Sequence, residues 1–247
     1  MDRVGSQLDR GERAMEALTR APSISVIVPT LNEAATIAAC VELLAAEPDV
    51  LEVLVADGGS TDQTREIARR IVGVQVIEAP LGRAWQLNRA AAQAQGSILW
   101  FVHADTQIQA GAAEEVVTLS CSPQFAVGAF HFAIDQPGAR NRLIERLTSW
   151  RCRWFGLPYG DQGVFVRREL FARLGGFPEQ PILEDVHFVR AAKRHGRCVI
   201  SARPIFTSPR RWDRHGLVRV FFQHQWILLL DALGVSPATI ARQRADR

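Results

Sequence analysis

The sequence predicts an α/β fold, a mostly parallel, Rossmann-like sheet flanked by helices. Three observations carry this. Short β-branched or apolar runs alternate with helical patterns four times within residues 23–106, the signature of βαβ units. One of these runs, at 97–102, is apolar without alternation, as a strand covered on both faces must be. It ends abruptly in His103 and Asp105, and in open α/β sheets ligands bind just beyond the carboxyl ends of strands. Two residues apart in extended chain, these side chains should point the same way.

The elements follow in order. Residues 1–22 read as a loosely ordered or helical leader ending at Ala21-Pro22. A β-branched run at 23–28 is the first strand, and Pro29, which cannot donate to a ladder, should stop it. Asn32 is placed to cap a helix over 33–46, with Glu33 in its first turn. The second strand, 51–56, runs into Asp57-Gly58-Gly59-Ser60-Thr61-Asp62, where Ser60 or Thr61 can cap a helix over 62–71. A third strand at 74–77 leads through Pro80 and Gly82 to a helix over 83–95, stopped by Gly96. The strand at 98–102 completes the set, and right-handed crossovers bring all four strand ends to one rim. Beyond Thr106 the pattern loosens. Helices are expected at 110–119, 140–155, 169–174, 184–195 and 217–233, and strands at 125–134, 164–167 and 198–202. The strand at 125–134 suits antiparallel pairing, 203–213 reads as a basic loop, and the chain ends in a polar tail.

Composition narrows the function classes. The chain has 247 residues, 47% hydrophobic and 22% charged, ordinary for a globular protein. No apolar run approaches the roughly 18 residues of a membrane span, and residues 1–20 lack the apolar core of a secretory signal. A cytoplasmic protein is expected. Cys40, Cys121, Cys152 and Cys198 are never closer than 31 residues, which excludes zinc and redox spacings and fits thiols in a reducing compartment. Residues 1–100 carry 9 Arg against 13 Asp and Glu; residues 101–247 carry 20 Lys and Arg against 13. Lys193 is the only lysine, and arginine suits bidentate phosphate recognition. The cations are spread along the chain without a recognised nucleic-acid motif, so nucleic acid is not an expected partner. The helices at 140–155 and 217–233 mix Arg or His with Trp, Phe and Leu. Such faces suit peripheral contact with an anionic bilayer, at the inner face of the membrane, or packing against the sheet or a second subunit in a homodimer.

The usual phosphate cradles are missing. A dinucleotide site needs G-x-G-x-x-G after the first strand, and here that turn is Pro29-Thr30-Leu31-Asn32-Glu33-Ala34. A P-loop is also absent from the sequence. A divalent metal holds phosphate well without either, and Asp105 is its candidate ligand.

An ordered set of motifs then identifies a family. Val28-Pro29-Thr30-Leu31-Asn32-Glu33 is followed by Asp57-Gly58-Gly59-Ser60-Thr61-Asp62, by Gly82-Arg83-Ala84 with Asn88, by His103-Ala104-Asp105, by Gly160-Asp161-Gln162-Gly163, and by Glu184-Asp185. This series resembles the family 2 glycosyltransferases over about residues 23–215. The Gly-Arg-Ala, His-Ala-Asp-Thr, Tyr-Gly-Asp-Gln-Gly and Arg-Arg-Trp segments further resemble the arsenosugar-biosynthesis-type subgroup. The resemblance implies a GT-A fold, with 23–106 as the nucleotide-binding half, 107–215 as a smaller, mixed acceptor half, and 216–247 as a C-terminal helix and tail. It implies inverting transfer of a sugar from a nucleotide-sugar, UDP- or GDP-linked, to an acceptor hydroxyl, with Mg²⁺ or Mn²⁺.

The resemblance also distributes roles. Asp57 accepts a hydrogen bond from the nucleobase, or else only fixes the Gly58 turn. Pro29, Thr30, Asn32 and Glu33 flank base and ribose, with Glu33 as a plain helix-start charge the alternative. Arg83 and Asn88, at a helix start, contact nucleotide or phosphate, or lie on an ordinary surface helix. Asp105 matches the metal-binding aspartate of the family's Asp-x-Asp, whose first position is here His103, a departure. His103 is then a second ligand, a contact to ribose or phosphate beside Ala104, or a satisfied strand-end histidine. Asp185 is the catalytic base that takes the acceptor's proton, with Glu184 orienting the site; the bland reading is two acids at a helix N-terminus. Asp161 and Gln162 bind donor-sugar or acceptor hydroxyls. Arg211 neutralises the diphosphate and Trp212 stacks on the acceptor, or both belong to a solvated basic loop. Two rival functions are a catalytically inactive nucleotide-sugar binding protein and a sugar-1-phosphate nucleotidyltransferase, whose Gly-rich loop after the first strand the chain lacks.

Overall fold

The computed structural model describes residues 22–134, 136, 138–155, 158, 160–207 and 217–245. These form one eight-stranded sheet with helices packed on it. In chain order the elements are β1 (Ile24–Thr30), α1 (Ile37–Ala45), β2 (Val50–Asp57), α2 (Thr64–Arg69), β3 (Val74–Glu78), α3 (Arg83–Ala91), β4 (Ile98–Phe101), β5 (Thr106–Gln107), α4 (Ala112–Ser120) and β6 (Phe125–Ile134). Then come α5 (Ala139–Phe155), a 3₁₀ turn (Gly160–Gln162), β7 (Phe165–Arg167), α6 (Arg168–Arg173), α7 (Glu184–Ala192) with a 3₁₀ turn (Lys193–His195), β8 (Arg197–Thr207), α8 (Leu217–Ala232) and α9 (Pro237–Ala245).

The strand order is β3-β2-β1-β4-β7-β6-β8-β5. β1, β2, β3 and β4 run parallel, β7 is antiparallel to β4 and β6, and β6 is parallel to β8. After β1 the chain builds outward to β3, then returns to place β4 on the other side of β1. That reversal opens a crevice between the carboxyl ends of β1 and β4, where doubly wound sheets bind ligands. Two apolar layers sandwich the sheet. One holds Ile27, Leu54, Leu99 and Phe101 against α3, α6 and α7; the other holds Val26, Val28, Val53 and Trp100 against α1 and α4.

Pro29 does not end β1. It pairs with Ala56 and the strand continues to Thr30. Ile27 offers its carbonyl to Val102 on the β4 side, and Pro29, two residues on, presents its backbone to that same side. β4 has ended at Phe101, opposite Ile27, so the missing N–H of Pro29 leaves no ladder bond unmade. β8 is longer than expected. Between Ala129 and His131 of β6 its partners jump from Ile200 to Pro204, a bulge closed by the Arg203 N–H donating to Ser201 Oγ at 2.9 Å. Proline is tolerated in a sheet at such a bulge, so part of the expected basic loop is strand. The polar tail contains α9, which starts as Ser-Pro with Ser236 Oγ accepting from Thr239 N at 3.3 Å.

α8 is tied to α7. Asp231 accepts from His187 Nε2 at 2.7 Å and from Arg190 Nη1 at 2.5 Å. Burial opposes the charge on Asp231, but hydrogen bonds from Arg190 and His187 hold its carboxyl below the usual range.

Where β6 meets β7, Gly128 faces Phe165. A Cβ at Gly128 would fall on the Phe165 ring. Gly128→Ala should therefore lower stability by about 1–3 kcal/mol, the usual cost of overpacking a filled core. Urea denaturation measures it, and an unchanged midpoint would contradict this packing.

Candidate active site

The cleft at the switch point is lined by Pro29, Arg83, Leu87, Phe101, Val102, His103, Gly160, Val164, Phe177 and Asp185. Its centre is the Arg83 guanidinium. Nε donates to Glu184 Oε1. Nη2 donates to Asp185 Oδ2 at 3.1 Å. Nη1 lies 3.3 Å from His103 Nε2. Arg83 is the first residue of α3, His103 follows β4, and Glu184 and Asp185 open α7. One side chain thus joins three elements separated by up to 102 residues.

The two acids are held in place by the backbone. Leu183, just before α7, is left-handed at φ 63, an uncommon state for a branched residue that recurs at functional sites. It turns α7 so that its first two side chains enter the cleft. Asp185 Oδ2 accepts the Gly160 N–H at 2.6 Å, and Oδ1 accepts its neighbour Val186 N–H at 2.8 Å. A Cβ on Gly160 would sit 3.0 Å from Asp185 Oδ2, so glycine allows this close approach. Burial raises the cost of charging Asp185, yet Arg83 and the two N–H donors outweigh it and hold the carboxyl below its ordinary value. Burial likewise opposes the charge on Arg83, and Asp185, Glu184 and Asp161 more than restore it. A guanidinium has no acceptor, so any hydrogen bond in this contact is donated by Arg83.

The rim beside this cluster is cross-linked. Asp57 spends both oxygens on its own turn: Oδ1 accepts Gly59 N (3.0 Å) and Ser60 N (2.9 Å), and Oδ2 accepts Ser60 Oγ and Thr30 Oγ1 (3.3 Å). Asn32 N donates to Ser60 Oγ at 2.9 Å, Asn32 Oδ1 accepts Thr61 N at 2.9 Å, Glu33 N donates to Thr64 Oγ1 at 2.8 Å and Ala34 N to Asp62 Oδ2 at 3.1 Å. Beneath them the buried Gln86 donates to the carbonyls of Thr30 and Ala56, both at 2.8 Å.

Several expected roles change. Asn32 caps no helix: α1 begins only at Ile37, and Asn32, left-handed at φ 56, joins the two loops. Asp57 does the turn-fixing job, its four acceptor positions filled. Gly58 lets Gln86 pass, since a Cβ there would be 3.0 Å from that amide. Asn88 does not reach the cleft; its amide brackets Phe177, donating to the carbonyl at 2.8 Å and accepting the N–H at 2.9 Å. Gln162 is buried and donates to the Phe130 carbonyl at 3.0 Å while accepting from Cys152 Sγ at 3.2 Å, which makes it a core residue. The Ala104 side chain belongs to the apolar layer. His103 and Asp105 do not share an extended strand: Thr106 N donates to His103 O at 3.1 Å, closing a turn over 103–106. His103 Nε2 lies beside Arg83. Arg211, Trp212, Tyr159 and the leader at 1–21 lie outside the described residues. Gln86 was missed; a glutamine among the buried Ala84, Leu87, Ala90 and Ala91 of α3 was the available signal.

Asp105 stands in the turn after β4. With burial as the larger cause, its charge and that of Glu33 push the nearby Cys40 thiol up to about 12. No cluster of three His, Cys, Asp or Glu side chains arranged to grip an ion exists among the described residues. One hard carboxylate at the mouth of the sheet fits a Mg²⁺ or Mn²⁺ that arrives with a diphosphate supplying further oxygens.

Known proteins give this arrangement a context. The family model described as Glycosyl transferase family 2 matches residues 25–175. A PGL/p-HBAD biosynthesis glycosyltransferase of Mycobacterium tuberculosis is 36% identical over 176 residues, 64% of each chain. The chain therefore matches about 64% of that relative's length. Glycosyltransferase AglE of Haloferax volcanii is 26% identical over 245 residues, 84% of this chain and 81% of that one. In fold the chain is similar to a mannosyltransferase from Pyrobaculum calidifontis in complex with GDP-Man and Mn²⁺, with a TM-score of 0.61 and 24% identity over 82% of this chain and 64% of that one.

The depressed pKa of Asp185 sets a pH window. Its stabilising charge is fully present above the unfolded value near 3.9 and is lost as pH falls through the lower folded value. Arg83→Gln should raise the Asp185 pKa, read by carboxyl NMR titration, and bring acid unfolding to higher pH. No shift in either would remove Arg83 as the cause.

Proposed function

The chain belongs to glycosyl transferase family 2, and from that premise we propose that it transfers a sugar from a nucleotide-sugar to an acceptor hydroxyl with inversion at the anomeric carbon. The observation that carries this reading is the Arg83 clasp: a cation and a fixed, ionised Asp185 side by side at the carboxyl rim of a doubly wound sheet. The donor is UDP- or GDP-linked, by likeness to relatives solved with GDP-Man or UDP-GlcNAc. Membership of the arsenosugar-biosynthesis-type subgroup rests on the Gly82-Arg83-Ala84 and His103-Ala104-Asp105-Thr106 segments and names no substrate.

The nucleoside diphosphate enters between the ends of β1 and β4. Thr30, Asn32, Glu33 and the Asp57 turn form the wall beside the base, and Asp105 holds the metal. That ion, when bound, offsets charge on the leaving diphosphate. The guanidinium of Arg83 turns from the carboxylates to the diphosphate, a partner of greater charge with matching bidentate geometry. Asp185 then loses its strongest stabilising partner and becomes more basic. The acceptor oxygen attacks the anomeric carbon, its proton passes to Asp185, and the C–O bond to the diphosphate breaks with the electron pair leaving on oxygen. Glu184 stays buried and keeps Arg83 within reach. Asp161 faces the sugar.

Asp185→Asn should cut transfer by about 10²–10⁴-fold, the span of a lost general base, with donor affinity nearly intact. Near-normal turnover would refute the assignment. Asp105→Ala should abolish Mn²⁺ binding measured by calorimetry in the presence of a nucleoside diphosphate. Tight Mn²⁺ binding by the parent without nucleotide would overturn the shared-ligand picture.

A further inference from the structure

α5 packs on the sheet by one face. Ile144 meets Phe132 and Ile134 of β6. Glu145 accepts the Ile134 N–H at 2.9 Å. Cys152 is buried. Seventeen residues long, this helix turns about 100° per residue, and its opposite side is apolar. Leu143 is 57% exposed, Leu147 37% and Trp150 57%. At spacings of four and three these residues form one stripe. Arg142 and Arg146 are exposed along one flank. The helix holds five arginines and one acid, and that acid, Glu145, is turned inward.

We propose that α5 docks on an anionic phospholipid surface, with Leu143, Leu147 and Trp150 entering the headgroup boundary and the arginines meeting lipid phosphates. An apolar stripe bordered by Arg142 and Arg146 is what such a boundary accepts: apolar tails below, negative headgroups at the edge. The same charge argues against a second copy as the occupant. Two α5 helices stripe to stripe would bring their arginines together, with no exposed acid on the helix to answer them. Docking rests on α5 alone and holds whatever sugar or acceptor the cleft takes.

The full chain is sedimented with vesicles of phosphatidylcholine and with vesicles also containing phosphatidylglycerol. Binding is expected to the anionic vesicles only. It should weaken at least about tenfold in Arg142→Glu/Arg146→Glu and on raising salt, because the attraction falls off within a Debye length. Leu143→Asn/Trp150→Ser should weaken it at constant charge. Unchanged thermal unfolding certifies each variant as folded. No binding of the folded parent to anionic vesicles overturns the proposal. So does equal binding to both vesicle types, or binding that all these variants retain. Self-association in analytical ultracentrifugation that Leu143→Asn/Trp150→Ser abolishes, without vesicle binding, gives the face to a second copy instead.

Discussion

The site depends on one side chain satisfying three distant parts of the chain at once. Arg83 binds Glu184 and Asp185 and lies beside His103, and its guanidinium pairs with both buried acids. The guanidinium has enough donors in a fixed fork to serve all three partners, which a lysine ammonium could not do with the same geometry. What brings the partners together is topology. β1 and β4 are neighbours although β2 and β3 lie between them in sequence. That reversal leaves the space into which α3, the β4 turn and α7 all point.

The rim at the ends of β1 and β2 is built differently, from short polar side chains that stitch loop to loop. Asp57 closes its own turn, Ser60 and Asn32 join that turn to the one after β1, and Gln86 fastens both strands from below. Each bond is ordinary in strength, but together they fix a backbone surface without spending a catalytic group. Hence the side chains that resemble a nucleotide motif are mostly occupied with one another, and the surface they leave is largely backbone.

Much of this was legible in the sequence. Period and turn chemistry placed β1 to β4 and their helices within a few residues, because both faces of β1, β2 and β4 are largely covered and their apolar runs are unmistakable. The order of motifs pointed to the rim where Arg83, His103, Glu184 and Asp185 meet. What sequence could not give was orientation. Asn88 and Gln162 are polar residues in promising motifs, yet each satisfies buried backbone. His103 and Asp105 obey strand alternation on paper, but the strand ends at Phe101 and a turn follows. Pro29 reads as a strand breaker and 203–213 as a loop; Pro29 is tolerated because β4 ends beside it, and Pro204 because it sits at a bulge. The link from Arg83 to Asp185 spans 102 positions, a distance no local pattern reports.

Under the proposed mechanism, the geometry favours Arg83 as the member of the clasp that yields to a diphosphate. Asp185 is held by two backbone N–H groups, and Glu184 is buried beside it. The helix that carries them is fastened further along, where Asp231 of α8 binds His187 and Arg190. Moving the acids would mean moving α7 against α8 and leaving Asp231 without its partners. The Arg83 side chain is 36% exposed, and it is long and flexible; among the described residues its guanidinium hydrogen-bonds to Glu184 and Asp185 and lies beside His103. In the mechanism we propose, rotation of that one side chain would exchange carboxylate for diphosphate while the acids stay aimed. Donor binding and activation of Asp185 would then be the same event, and the acceptor would meet a competent base only after the donor is in place.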